Sequence, residues 1–432
     1  MIGKLAFRNL FRNKWRSMLT AGGVAAAVAV LVWMNAFMDG FMTQMIQGAT
    51  SLETGQAQIQ TEAYAEEPRI WYSFPAGRKL YDKVEGVEGV REVEPRVEFS
   101  GLAGTDQRSQ VTRFVGVGAR GSEKLAEAIV EGRWLSETPP DRPAPREAVI
   151  GIDLARQIGV GVGDELVALA SAQDGSMGND LLKVVGIVEA GNNAVDQRST
   201  FLHLSDAQFL AAMGGDIHEL MIRADNIRNV ERTVEEVEEV VAAWENDQMA
   251  GATTFVEGNE RPTELVVRKW QEMMPTLANY IELSGSSMAF MYVILYFLAA
   301  LGILNTQRMS SLDREREFGV MQAIGVSPRR LFASVLWETT LLTLIGAIAG
   351  AAIGTAVNLY FAEYGLNMGA FVEQDSFSFM GVSVSMRVPF TVTFWGTVTP
   401  ILAILPVALL CGLWPALSSA NLNPAKAIAK KD

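Results

Sequence analysis

The chain has 432 residues, 49% of them hydrophobic, with a formal net charge of −13 and a mean hydropathy of +0.17. That balance is too polar for a protein immersed in lipid throughout and too acidic for a nucleic-acid binder; it suits a few membrane spans joined to a large water-soluble domain. A single cysteine, Cys411, excludes an internal disulfide, and two histidines, His203 and His218, argue against a histidine-rich metal site, so no metal is expected.

Residues 1–18 hold Lys4, Arg8, Arg12, Lys14 and Arg16 and no acid. Leu5, Leu10, Phe11, Trp15 and Met18 can share one side of a helix there, which reads as a cytoplasmic amphipathic helix on the lipid surface or as a simple topology signal. Residues 19–40 form the first predicted span. No small-x-small cleavage pattern follows in Asn35-Ala36-Phe37-Met38-Asp39, so the span is expected to be retained. Within it and just beyond, Met34, Phe37, Met38 and Phe41 offer adaptable contacts to acyl chains, or simple lipid-facing packing.

Residues 41–282 predict an extracytoplasmic α+β domain. Thr54 to Gln60 alternates as a strand, and Tyr81 to Phe99 reads as helix, turn and strand. A second half repeats the pattern: a strand near Glu219 to Ala224, a helix Val230 to Trp244 and a strand Thr253 to Val256. The two halves, about 50–110 and 215–258, are expected to share one sheet, with a mostly β insertion at about 111–214. Gly159, Gly161 and Gly163 lack the spacing and the lysine of a phosphate loop and are expected in β-turns. Arg261 to Leu283 predicts a charged-then-apolar helix entering the second span, 283–307, which carries Met288 and Met291.

A cytoplasmic loop, 308–330, leads to a third span, 331–361, with Glu338 and a ladder of Gly346, Gly350 and Gly354. Small residues four apart let helices approach closely. A carboxylate in a span has a partner or a task, or snorkels to the interface. A short outer loop, 362–388, precedes a fourth span, 389–415, that contains Pro400 and Pro406, and residues 416–432 form a cytoplasmic tail. Residues 39–282 hold 22 Lys+Arg against 41 Asp+Glu, whereas both ends are basic. By the positive-inside rule the termini are cytoplasmic and the large domain outside.

Leu312 to Ile324 is a short charged segment of helical composition, closed by Gly325 and by Ser327-Pro328. Glycine accepts the left-handed cap and proline cannot continue the ladder, so a compact helix is expected to turn sharply into the third span. Leu312, Phe318, Val320, Met321 and Ile324 are more apolar groups than a solvated loop needs, and fit a helix seated in a partner's cleft. A solvated charge run is the plainer alternative.

The stretch Glu315 to Gly325, E-R-E-F-G-V-M-Q-A-I-G, resembles the hallmark of the FtsX-like permease family, which includes MacB-type exporters and Lol-type lipoprotein-releasing permeases. Leu5 to Thr20 and Trp414 to Ala427 resemble the family's two ends, and Glu147 to Leu169 with Val184 to Gln208 resembles its extracytoplasmic pattern. The resemblance implies four membrane helices with a MacB-like periplasmic core domain, in a bacterial inner membrane. It implies a coupling loop that docks on a separate ATP-hydrolysing subunit, present in two copies, through Arg314, Glu315, Glu317, Phe318, Gly319, Met321, Ala323, Gly325 and Pro328. It further implies a second permease copy or paralogue, membrane lipid, and a lipoprotein or a periplasmic adaptor or carrier as partners. ATP and magnesium would belong to the partner subunit. The only Gly-Lys pair, Gly3-Lys4, is followed by leucine, so no phosphate loop and no catalytic residue is expected in this chain. The layout is closest to Lol-type permeases, which work by mechanotransmission. The alternatives within the resemblance are a tripartite efflux permease and an FtsX-like transmitter that activates a cell-wall hydrolase.

Overall fold

A computed structural model describes residues 14–75, 78–118, 123–140, 144–225, 230–249, 264–369, 376–379 and 382–422. Most of the expected amphipathic helix, the strand expected at Thr253 to Val256 and the basic tail lie outside these residues. The chain divides into two compact units: 1–42, 280–372 and 387–432 form one, and 43–279 with 373–386 the other.

Among the described residues four helices are long and apolar enough to cross a membrane: Lys14–Ala49, Pro275–Asp313, Pro328–Tyr364 and Phe394–Ala420. The first three hold 36, 39 and 37 residues. At about 1.5 Å per residue each exceeds the roughly 30 Å of bilayer hydrocarbon. They are called the first to fourth spans below. Val24, Val28 and Val32 of the first span, Ile303 of the second, Ala347 and Ala351 of the third, and Ile404 and Ala408 of the fourth form one buried cluster. The fourth span stays helical through Pro400, Pro406 and Pro415.

The other unit is built on ten strands: β1 (Ala57–Thr61), β2 (Val90–Gly104), β3 (Ser109–Val117), β4 (Ile129–Gly132), β5 (Arg146–Gly151), β6 (Glu165–Ser171), β7 (Met177–Val188), β8 (Ser199–His203), β9 (Glu219–Ala224) and β10 (Leu265–Lys269). Their order is β10-β1-β9-β2-β3-β8-β5-β7-β4, and β6 pairs with both β2 and β7. That double pairing closes β2, β3, β8, β5, β7 and β6 into a six-stranded ring, which removes exposed edges from the region. The fifteen-residue β2 belongs to both parts: Val90 to Arg96 pairs with β9, and Gly101 to Gly104 with β6. The β-rich stretch is therefore continuous with the sheet it interrupts in sequence.

Helix Val230–Met249 places Val230, Val234, Val237, Val241 and Trp244 on one stripe, all buried in the same core as Leu80 and Val84 of helix Arg78–Glu85. The helix expected over Arg261 to Leu283 is corrected. Leu265–Lys269 is strand β10, antiparallel to β1, followed by one helical turn, Trp270–Met273, before the second span begins at Pro275. The run Leu265-Val266-Val267 favours a pleated, half-buried strand. Pro275 lacks the N–H needed inside a helix and is suited to open one.

Residues of β2 alternate between faces, and Val93, Val97 and Phe99 enter the core. The opposite face is charged yet covered: Glu94 and Arg96 are 4% and 1% exposed, with Arg96 Nε 3.5 Å from Glu94 Oε1. Beside them His218 Nδ1 accepts from the Glu98 N–H at 3.0 Å, its Nε2 lies 2.9 Å from the Ile70 carbonyl, and its ring stacks on Tyr64. Burial pushes His218 down to about 4, so it is neutral, with Nε2 carrying the proton toward Ile70. Burial, and next the charge of Glu98, push Glu219 up to about 8.

The folded chain thus holds a proton on Glu219 that the unfolded chain releases above the ordinary carboxylate range. Stability from this residue is full at low pH and is lost as pH rises through about 8. Glu219→Gln should flatten that alkaline loss; thermal unfolding of the detergent-purified chain at pH 6 and pH 9 checks it, and an unchanged difference between the two pH values would contradict the assignment.

Candidate functional site

The second span ends at Asp313, and a nine-residue helix, Glu315–Ala323, follows after one non-helical residue, Arg314. We call it the junction helix. The Phe318 N–H is taken by the Arg314 carbonyl at 3.0 Å. At the far end Gly325 adopts φ +96°, Val326 N–H bonds the Met321 carbonyl at 3.0 Å, and Gly325 N–H bonds that of Gln322 at 3.0 Å. This paired closure satisfies two carbonyls that a helix end otherwise leaves open, and it needs the left-handed backbone that glycine supplies. Ser327 is extended, as a residue before proline must be, and Pro328 opens the third span.

The junction helix has two different sides. Phe318 is 3% exposed and packs with Leu331, Val335 and Ala416, with Met321 half-buried beside it. Gly319 is buried as well. Gln322 Nε2 donates to the carbonyls of Ser419 and Ala420, at 3.3 and 3.1 Å, near the end of the fourth span. Leu312, Arg316, Val320, Ala323, Ile324, Gly325 and Pro328 are exposed, and Glu315 and Glu317 are half-exposed. Phe318 and Gly319, expected against a partner, are instead buried within this chain, Phe318 against the third and fourth spans. Val320 and Ile324, at 45% and 76% exposure, carry the open apolar side with Leu312.

Glu338 does not snorkel alone. Both its oxygens accept from Arg314 Nη1, at 3.0 and 2.8 Å, while Arg314 Nε is 3.3 Å from Glu317 Oε2 and its guanidinium lies over the Phe318 ring at 5.1 Å. No sequence spacing announces this pair, because the two residues are 24 positions apart across a turn.

The glycine ladder of the third span faces the first. A Cβ on Gly346, Gly350 or Gly354 would fall 2.5, 2.3 or 2.9 Å from the carbonyl oxygens of Ala21, Ala25 and Ala29. Asn358 Nδ2, buried one turn further on, donates to the Val32 carbonyl at 2.9 Å. At the far end of the first span Phe37 stacks on Trp33 at 5.7 Å and meets Phe390 at 5.5 Å and Phe41 at 6.3 Å. Met34 and Met38 are half-buried. Met288 is 9% exposed and turned inward, whereas Met291 is 42% exposed. Of the expected acyl-chain contacts, Met288 is thus covered and Phe37 is engaged by neighbouring rings.

One cluster in the soluble unit has the residue types of a nucleophilic site. Ser136 Oγ lies 2.8 Å from Glu147 Oε2 and 3.5 Å from His203 Nε2. Glu147 Oε2 stands 3.6 Å from that same imidazole nitrogen rather than the opposite one, so it does not orient a base toward the serine. Burial opposes ionisation of Glu147, but hydrogen bonds from Arg133 and Ser136 outweigh it and hold the carboxyl at about 2. The group is an ion-pair network in the wall of the β ring. Among the described residues no group of three or more His, Cys, Asp or Glu side chains is placed to hold a metal.

Residues 17–240, more than half of the chain, match the MacB-like periplasmic core domain, and residues 289–424 match the FtsX-like permease C-terminal domain. The chain belongs to the FtsX-like, MacB-type family of ABC transporter permeases. It is 20% identical to the lipoprotein-releasing system transmembrane protein LolC of Xylella fastidiosa over 298 residues, which cover 66% of this chain and 65% of that protein. LolE of Haemophilus influenzae is 21% identical over 389 residues, 86% of this chain and 84% of that one. The macrolide export ATP-binding/permease protein MacB of Chlorobium luteolum is 23% identical over 390 residues, 88% of this chain and 51% of that one. The permease therefore spans just under two thirds of the LolC relative's length.

In this permease the first and third spans touch backbone to backbone, where an added side chain has nowhere to go. Gly350→Val should cost about 1–3 kcal/mol or more by overpacking. Gly302→Ala, on a second-span face with nothing within 4 Å, should cost nothing measurable. Thermal unfolding of the two detergent-purified variants checks the contrast.

Proposed function

We propose that this permease subunit works by mechanotransmission in an ABC system that releases lipoproteins from the inner membrane, with both termini cytoplasmic and the MacB-like domain periplasmic. Its junction helix seats in a cleft of a separate ATP-hydrolysing subunit, two copies of which serve a pair of permeases, and that subunit binds ATP and magnesium. Closure of the ATPase pair displaces the junction helix, and the spans relay the movement to the periplasmic domain. The observation that carries this reading is the two-sided junction helix. One side is fixed to the third and fourth spans, and the other leaves Leu312, Val320 and Ile324 exposed. An exposed apolar stripe between a charged arginine and a turn is the form of a helix that docks into a groove.

The lipoprotein reading draws support from the match to LolE, which extends over most of both chains. A second reading, a MacB-like export permease, is favoured by the comparable identity to MacB over 88% of this chain.

Val320→Asp and Ile324→Asp change only exposed positions, so they should leave the permease folded and in the membrane. They should abolish co-isolation of an ATP-hydrolysing subunit with a tagged copy of the chain from its native cells. A photo-crosslinker at Met291 should capture an acylated protein; capture of a periplasmic adaptor instead would favour the export reading. Undiminished ATPase co-isolation in both aspartate variants would refute the docking surface.

A further inference from the structure

We infer that Arg314 and Glu338 form a clasp that makes the junction helix move as one body with the third span, so that displacement of the helix is delivered to the bilayer-embedded part of the protein rather than absorbed by the turn.

The need for such a clasp follows from the turn itself. Between Ala323 and Pro328 the chain is closed by a glycine at φ +96° and an extended serine, and no regular helix crosses it. A push on the junction helix at this point meets a hinge. At the other end the helix is separated from the second span by a single non-helical residue, Arg314, with φ −104° and ψ 10°. A nine-residue helix between two breaks would pivot if only its backbone held it.

The side chains close both ends. At the N-terminal break the hinge residue itself reaches across, its guanidinium bonding both oxygens of Glu338. Glu338 lies ten residues into the third span, about 15 Å along its axis from Pro328. It is the only Asp, Glu, Lys, Arg or His between Leu331 and Phe361, and its side chain is 12% exposed. Glu317 holds the guanidinium from one side and the Phe318 ring from another, so the arginine has little freedom to follow a different partner. At the C-terminal end Gln322 holds the open carbonyls of the fourth span. Phe318, between the two ties, is sunk among Leu331, Val335 and Ala416.

A charge pair in this setting resists shear in a way that apolar contact does not. Apolar groups slide past one another at nearly constant burial, whereas separating Arg314 from Glu338 strips a carboxylate near hydrocarbon of the charged donor that holds both its oxygens. The pair is therefore stiff to the one displacement that matters, movement of the junction helix along the third span. Its two members also lie away from the exposed side carrying Val320 and Ile324, so holding a partner and transmitting its movement fall to different residues.

The first test uses this chain alone in lipid nanodiscs and does not depend on any partner. In a Cys411→Ala background, spin labels at Arg316→Cys on the junction helix and Ile345→Cys on the third span report their separation by pulsed electron resonance. The distribution should be narrow in the parent, broaden in Arg314→Gln and in Glu338→Gln, and narrow again in the exchanged pair Arg314→Glu with Glu338→Arg. Arg314→Lys, which keeps the charge, should fall between parent and Arg314→Gln. An equally narrow distribution in both glutamine variants would overturn the clasp, as would a failure of both Arg314→Lys and the exchanged pair to restore any order while the variants remain folded.

The second test rests on the proposed function and uses the unlabelled chain with whatever ATP-hydrolysing subunit co-isolates on it. The glutamine variants should keep that subunit and lose the change in hydrolysis that the parent chain imposes on it. Loss of co-isolation itself would overturn the clasp by making the pair part of the docking surface. If the parent co-isolates no ATPase at all, the proposed function fails, and the resonance measurement still decides the clasp.

Discussion

The membrane unit depends on one close approach: the third span touches the first through Gly346, Gly350 and Gly354, where carbonyl oxygens of the first span occupy the space a Cβ would take. Helices in lipid gain nothing from burying apolar surface against one another, because the lipid is equally apolar, so they associate through close packing and hydrogen bonds. Three glycines on successive turns provide the packing, and the Asn358 amide adds a buried bond to the Val32 carbonyl. The third span also meets the fourth at Gly412 and Thr339 and carries Glu338 toward Arg314. It is the element to which the others are referred.

The soluble unit solves a different problem. It must cover a sheet that is charged on the back of β2, and there Arg96 is paired with Glu94 and His218 stacks on Tyr64 beside them. Buried ion pairs contribute little net stability but are costly to break singly, so they fix which segments may lie together. Closure of six strands into a ring supplies the second constraint, since a ring leaves no open edge to slip or to recruit another chain. Glu219 is buried beside Glu94, Glu98 and Arg96, and its raised proton affinity follows first from burial and then from the charge of Glu98.

The proposed function places the working part of this permease where the membrane unit departs from straight helices. The junction helix is bounded by a non-helical arginine and a left-handed glycine, and its nine residues divide cleanly between a face fixed to the spans and a face left open. On that proposal the division separates affinity for a partner from transmission of movement, as a subunit driven by another protein's ATP hydrolysis would require. The Ser136, Glu147 and His203 cluster shows the reverse case. The residue types suggest chemistry, but the carboxylate sits at the wrong ring nitrogen and the arrangement serves the fold.

Much was legible in the residues before any coordinates, because it rests on local rules. Apolar runs of bilayer length, the glycine and proline that end the junction helix, the valine stripe of Val230 to Trp244 and the β9 strand all follow from spacing along one segment. The family resemblance in Glu315 to Gly325 was likewise a property of consecutive residues. What the sequence did not contain was which side of a helix meets which neighbour. Phe318, Val320 and Ile324 are equally apolar in the chain, yet the first is buried and the others open. The Arg314–Glu338 pair, the strand at Leu265–Lys269 in place of a helix, and the closing of the β ring by β6 depend on contacts between segments distant in the chain. The physical reason is the same in each case: local composition sets the period and the ends of an element, but its register, its facing and its partners are set by packing energies that exist only once the other elements are in place.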